Sequence, residues 1–257
     1  MTDTVKVLDL GVHGTVIVVT DGEALARHAA EEIIAVSQAA KAESRIALVA
    51  LSGGSTPKRM GQLLSTAEYG DRVAWDALHL FWGDERFVPL SSPESNAGEA
   101  LRAFIDAAPI HPEDVHTWET DDGISPAESA TRYEAEIREV SGVAEGTPVF
   151  DLILLGMGDD GHTLSLFPGT AAIHNNSDIV LAHHVAKLDA DRLTFSPLLA
   201  NAAARVVFLV GGAGKAETLV RVLQGDEDVD TLPSQVIRPT NGDLVWLVDE
   251  AAAANLR

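Results

Sequence analysis

Four apolar runs of strand length each stop at or just before a glycine: residues 46–51 at Ser52-Gly53-Gly54, 78–82 at Gly83, 151–155 at Gly156 and 206–210 at Gly211. Runs this short and this continuously apolar suit strands buried on both faces. Residues 16–19, 179–185 and 244–248 add three more, with shorter candidates at 115–118 and 193–195. Helical segments fall between most of them. Asp21 is placed to cap a helix running to about residue 41. Pro57 suits the first turn of one ending near 65, and others are expected at 97–107, 125–140 and 216–223, with an Ala-rich helical tail. This alternation predicts one α/β domain over residues 1–257, a Rossmann-like, mostly parallel sheet covered by helices on both faces. In such sheets ligands bind beyond the carboxyl ends of the strands, where these glycines lie.

The loop after 151–155 is the richest in chemistry. Gly156-Met-Gly158-Asp-Asp-Gly161-His162 carries three glycines, so its backbone can bend sharply and approach a ligand closely. The histidine at its end is the leading candidate for a general base. The spacing also fits a dinucleotide fingerprint, but Asp159 and Asp160 would put carboxylates where a pyrophosphate belongs, and Pro168 curtails the helix that motif needs.

Three other loops have anion-binding character. Ser52-Gly53-Gly54-Ser55-Thr56-Pro57 combines exposed backbone N–H groups, hydroxyls and a helix N-terminus. Lys58 and Arg59 just beyond it read better as solvated helix residues. Gly83-Asp84-Glu85-Arg86 offers a guanidinium for a phosphate or carboxylate, with two acids to orient it or act themselves. Gly211–Lys215 fails the Walker pattern but sets Lys215 at a helix start. His183 and His184 are adjacent in a strand and point to opposite faces, so they cannot chelate jointly. No strong metal spacing and no serine-nucleophile elbow is present.

Net charge bears on partners. At −21 over 257 residues, the chain argues against nucleic acid and anionic membranes, while a small phosphorylated ligand needs only a local cluster of cations. There are no cysteines, which removes disulfides and thiolate chemistry. No run approaches a membrane span, and the first residues lack a signal-peptide core, so a cytoplasmic protein is expected. The inventory suits acid–base chemistry on a small phosphorylated molecule.

Taken in order, Ser52-Gly-Gly-Ser-Thr-Pro57, Trp82-Gly-Asp-Glu-Arg-Phe-Val-Pro89 with Ser95-Asn96, Leu155-Gly-Met-Gly-Asp-Asp-Gly-His162 through Ser165-Leu-Phe-Pro168, and Gly211–Glu217 resemble the 6-phosphogluconolactonase family along nearly the whole chain. The resemblance implies hydrolysis of 6-phospho-D-glucono-1,5-lactone in the oxidative pentose phosphate pathway, with no metal or organic cofactor. It also implies a fold shared with glucosamine-6-phosphate deaminases and ribose-5-phosphate isomerases. On this basis His162 and Arg86 are the expected catalytic residues. Ser52, Gly53, Gly54, Ser55, Thr56, Asp84, Gly161, Lys187, Arg192 and Lys215 are the expected substrate-binding set. Phosphate would dock on residues 52–56, and Asp159 or Asp160 would orient the imidazole. The expected partner is the small-molecule lactone, and the protein a monomer or weak homo-oligomer.

Two departures from the family pattern stand out. Its Lys-Pro-Pro segment is here Lys187-Leu-Asp-Ala-Asp-Arg192, which leaves the placement of both cations open, and the Thr163-Leu164 pair differs from the small residue often found after the histidine. The nearest alternative is a deaminase or isomerase of the same fold. That chemistry needs a second carboxylate, and residues 163–168 lack the Glu that those enzymes carry there. A non-catalytic sugar-phosphate sensor is the other alternative, and it would lack a use for His162.

Overall fold

The structure, a computed structural model, describes residues 3–121 and 123–257. In chain order its elements are β1 (Thr4–Asp9), β2 (Thr15–Val19), α1 (Gly22–Ala42), β3 (Ala47–Leu51), α2 (Ser55–Leu64), α3 (Ala67–Gly70), β4 (Leu78–Trp82), β5 (Asp84–Arg86), α4 (Asn96–Ala103), α5 (Pro126–Ser141), β6 (Leu152–Gly156), β7 (Val180–Val185), β8 (Ala190–Phe195), α6 (Pro197–Ala200), β9 (Arg205–Val210), α7 (Ala216–Gln224) and β10 (Asp243–Asp249).

Seven strands form one sheet in the order β1-β2-β10-β9-β6-β3-β4. Only β1 runs antiparallel to its neighbour; the other pairings are parallel. Successive residues of β3 and β6 are buried on both faces, as expected of parallel strands covered by helices above and below. The buried apolar side chains form one connected cluster. Order along the sheet reverses between β3 and β6, which pair over only two residues, Val49–Leu152 and Ala50–Ile153. That reversal opens a crevice at the strands' carboxyl ends, between the loops at 52–54 and 156–162.

Local signals account for most helix starts. Asp21 Oδ1 accepts from Ala24 N at 2.8 Å, and Ser125 caps α5 through Glu128 N, with Pro126 in the first turn. Where Pro57 suggested the start of α2, the helix begins two residues earlier at Ser55, because Gly54 already turns the chain. The expected 97–107 helix ends at Ala103 and passes into a 3-10 turn. Residues 115–118 make a single bridge, Val115 with Leu80, rather than a strand. The Ala-rich tail is a series of turns, not a helix; Asp249 Oδ1 accepts Ala252 N there at 2.7 Å.

The larger difference is a second sheet. Asp84–Arg86, read from the sequence as loop, is β5, and it forms an antiparallel sheet in the order β5-β8-β7. Gly83 joins the two sheets: its N–H donates to Leu51 O at 3.0 Å, and its carbonyl accepts from Phe195 N at 2.7 Å. The end of β4 is anchored from the other side. Trp82 N donates to the Tyr133 hydroxyl at 2.9 Å and Trp118 Nε1 donates to Trp82 O at 2.9 Å. The step from Trp82 to Asp84 is thereby fixed beside the crevice.

Candidate active site

Loop 156–162 leaves β6 and is tied down at nearly every turn. Gly158 N donates to His162 O at 2.8 Å and Gly161 N to Gly158 O at 3.0 Å. Thr218 Oγ1, from α7, donates to Asp159 O at 2.7 Å, and Ser234 Oγ donates to Gly161 O at 2.8 Å. His162 is thus presented at the crevice on a braced loop. Its Nδ1 lies 2.5 Å from Asp160 Oδ1, and its ring stacks on Phe167 with centroids 4.3 Å apart. A carboxylate on Nδ1 fixes the tautomer that leaves Nε2 as a proton acceptor, and among the described residues Nε2 makes no hydrogen bond. Of the two aspartates considered from the sequence, Asp160 is therefore the one that orients the imidazole. Burial pushes the Asp160 carboxyl up, but the hydrogen bond from His162 and the Lys187 ammonium outweigh it and hold the group below its ordinary value.

The crevice has two lobes that share Asp84, Arg86, His162 and Leu164. The larger, about 420 Å³, is completed by Asp160, Ser165, Phe167, Lys187 and Arg192. The smaller, about 270 Å³, is completed by Ser52, Gly53, Gly54, Asn96, Gly158 and Lys215.

Most of the expected residues meet here. Lys187 and Arg192 flank the β7–β8 turn, where Asp189 takes a left-handed conformation, φ 46°; without the family's prolines this tight turn still brings both cations to the larger lobe. Lys187 Nζ lies 3.2 Å from Asp160 Oδ2, and Lys215 Nζ 2.5 Å from Asp159 Oδ1. Arg86 and Arg192 are register partners on β5 and β8. Burial first, and then the neighbouring Arg86, push the Arg192 guanidinium below its ordinary value.

Three expected residues do not line the crevice. Ser55 and Thr56 form the first turn of α2, so they reach the site only through the N-terminal end of that helix. Gly161 is buried under Leu232: it has φ +79°, and a Cβ there would meet Leu232 Cδ2 at 2.8 Å. Its part is the turn itself. Lys58 and Arg59 are drawn off into ion pairs with Glu99 and Glu23.

Glu85 does not orient Arg86 as anticipated. It is 1 % exposed and caps α4, accepting from Asn96 N, Ala97 N and Ser95 Oγ at 2.8, 2.9 and 3.0 Å. Burial raises its carboxyl against those bonds. The Arg86 guanidinium instead donates to Glu94 O. Asp84 stays in the crevice, its Oδ2 accepting from Ser165 Oγ at 2.9 Å.

Ser165, Phe167 and Asn96 were not assigned roles from the sequence, although each sits in a motif that carried the resemblance. Asn96 Nδ2 donates to Asp84 O at 3.1 Å, and the loop at Gly53 lies so close that a Cβ would stand 1.9 Å from Asn96 Oδ1. No group of three or more His, Cys, Asp or Glu side chains converges on a metal position among the described residues.

The fold is thus a doubly wound sheet with a braced histidine and a group of cations at its switch point. The model of the family described as glucosamine-6-phosphate isomerases/6-phosphogluconolactonase matches residues 20–246, and the chain belongs to that family. A 6-phosphogluconolactonase of a Nostoc species is 40 % identical over 210 residues, covering 81 % of this chain and 84 % of that protein. The solved structure of 6-phosphogluconolactonase from Trypanosoma cruzi superposes with a TM-score of 0.82 at 27 % identity, covering 98 % and 99 % of the two chains. A monomeric glucosamine-6-phosphate deaminase shares the fold at a TM-score of 0.76 and 20 % identity, over 93 % and 99 % of the chains.

Proposed function

We propose that this protein hydrolyses 6-phospho-D-glucono-1,5-lactone to 6-phosphogluconate, the reaction named for its lactonase relatives. The observation that carries the reading is the His162–Asp160 pair: Nδ1 is held at 2.5 Å while Nε2 has no partner among the described residues, in a crevice ringed by Arg86, Lys187, Arg192 and Lys215. A neutral imidazole so oriented takes a proton from water as it attacks the lactone carbonyl. Asp160 steadies the imidazolium that forms.

Arg86 lines both lobes beside His162 and is the cation for the oxyanion that develops on the carbonyl oxygen. The phosphate is assigned to the smaller lobe. There the N-terminal end of α2 and the backbone of residues 52–54 supply N–H donors, and Lys215 supplies charge. Arg192 and Lys187 then lie along the sugar in the larger lobe. The deaminase alternative lacks its glutamate: residues 163–168 supply Thr163 and Ser165 as hydrogen-bonding groups, and the carboxylates lining the crevice are Asp84, Asp159 and Asp160.

The lactone is generated in situ by oxidising glucose 6-phosphate, and 6-phosphogluconate formation is compared with a protein-free blank. The expected result is a clear acceleration that His162→Ala reduces by about 10²–10⁴-fold. Acceleration undiminished in the variant would move the base elsewhere, and no acceleration by the wild type would end the lactonase reading.

A further inference from the structure

Resting on that reading, we propose that Asp84 is the general acid that protonates the departing ring oxygen when the lactone opens. Asp84 and His162 both line both lobes of the crevice, and Asp84 is the carboxylate common to the two, Asp159 and Asp160 lining only the larger. Asp84 is rigidly placed. Its carbonyl accepts from Asn96 Nδ2 at 3.1 Å, and its Oδ2 accepts from Ser165 Oγ at 2.9 Å. Ser165 N in turn donates at 3.2 Å to Thr194 Oγ1, and Thr194 is Asp84's register partner on β8. Oδ1 has no hydrogen-bond partner among the described residues.

The charged groups around this carboxyl are Arg86 on its own strand, Arg192 on β8 and His162 on the loop after β6. None forms a hydrogen bond to it. Burial therefore dominates and raises the carboxyl above its ordinary value, with the Ser165 bond and the three basic groups opposing. A carboxyl shifted in this direction holds its proton more readily than an exposed one.

Ester hydrolysis needs such a donor because an alkoxide leaves poorly. In the first step water's oxygen bonds to C1, its proton passes to His162 Nε2 and the carbonyl becomes an oxyanion. In the second the C1=O bond re-forms, the C1–O5 bond breaks and Asp84 gives its proton to O5, becoming a carboxylate. The carboxylic acid product loses its proton, and His162 and Asp84 return to their starting states through solvent. The working pair carries one proton shared between two sites, so activity falls when the pair gains a proton and again when it loses it.

The test compares the lactone with its ring-sulfur analogue, 6-phospho-5-thio-gluconolactone, whose thiolate leaves without protonation. Asp84→Asn is expected to lower kcat on the oxygen lactone by about 10²–10⁴-fold. It should leave turnover of the sulfur analogue far less affected and still bind 6-phosphogluconate in calorimetry. In wild-type protein, the alkaline limb of kcat/KM is expected with the oxygen lactone and not with the sulfur one, a readout that needs no variant. Equal losses on both substrates, loss of product binding, or the same alkaline limb for both would overturn the assignment while leaving the lactonase reading intact. A wild type that hydrolyses neither lactone faster than the blank would overturn both.

Discussion

A Cβ placed on Gly158 would stand 2.0 Å from His162 Nδ1 and 2.8 Å from Asp160 Oδ1. The glycine is required by space rather than by backbone conformation, since the imidazole–carboxylate pair occupies the volume that a side chain would need. Gly158→Ala is expected to fold but to displace the ring, and a misplacement of about 1 Å at a catalytic group costs on the order of 10²-fold in rate. Lactone turnover measured beside the thermal melt separates the two effects. Wild-type turnover would mean that the ring position does not matter.

Arg86 and Arg192 face each other across β5 and β8, a like-charge arrangement that costs roughly 0.2–1 kcal/mol in a sheet. An anion in the crevice relieves it. Adding 6-phosphogluconate at about 100 times its Kd should stabilise the wild type by about 2.7 kcal/mol. Arg192→Met should melt at or above the wild-type temperature without ligand and lose most of the ligand-induced shift. A full shift retained in the variant would remove Arg192 from the binding set.

Lys215 is held by Asp159 at 2.5 Å, and the Asp159 side chain is 81 % exposed. Such a pair contributes little to stability, at most about 1 kcal/mol, but it competes with phosphate for the ammonium. Asp159→Asn should lower KM for the lactone by about two- to five-fold with kcat unchanged. Lys215→Ala should raise KM. A rise in KM for Asp159→Asn would mean that the aspartate positions the lysine rather than restraining it.

The raised Asp84 carboxyl also predicts a stability profile. In the window between its ordinary unfolded value, about 4, and its higher folded value, the native state binds more protons than the unfolded one. Stability therefore falls as pH rises through that window. Asp84→Asn lacks this penalty, so in denaturant titrations its stability relative to wild type should increase as pH rises from about 4. A constant difference would mean that Asp84 titrates normally.

Much of this site is legible in the chain because its signals are local. Glycines that stop apolar runs mark the strands' carboxyl ends, and the histidine six residues beyond Gly156 follows from the loop that presents it. Lys58 and Arg59 were separable from the site because a helix surface explains them. The second sheet was legible only as separate strands at 179–185 and 193–195; its third strand was not. β5 is three residues long, too short for a period to show, and all three of its register partners come from β8, more than 100 positions away.

The sequence by itself determined six of the seven strands of the main sheet, all but β1, the loops at its switch point, and the histidine and cations available there, since periodicity, glycine and capping residues act within a few positions. Tertiary structure decided how those groups are paired. It turned Glu85 inward to cap α4 and left Asp84 facing the crevice with Ser165. It set Arg86 opposite Arg192, and gave Asp160 to His162 and Asp159 to Lys215. The reason is that hydrogen bonding and register between distant segments depend on the order of strands in the sheet, which no local pattern specifies.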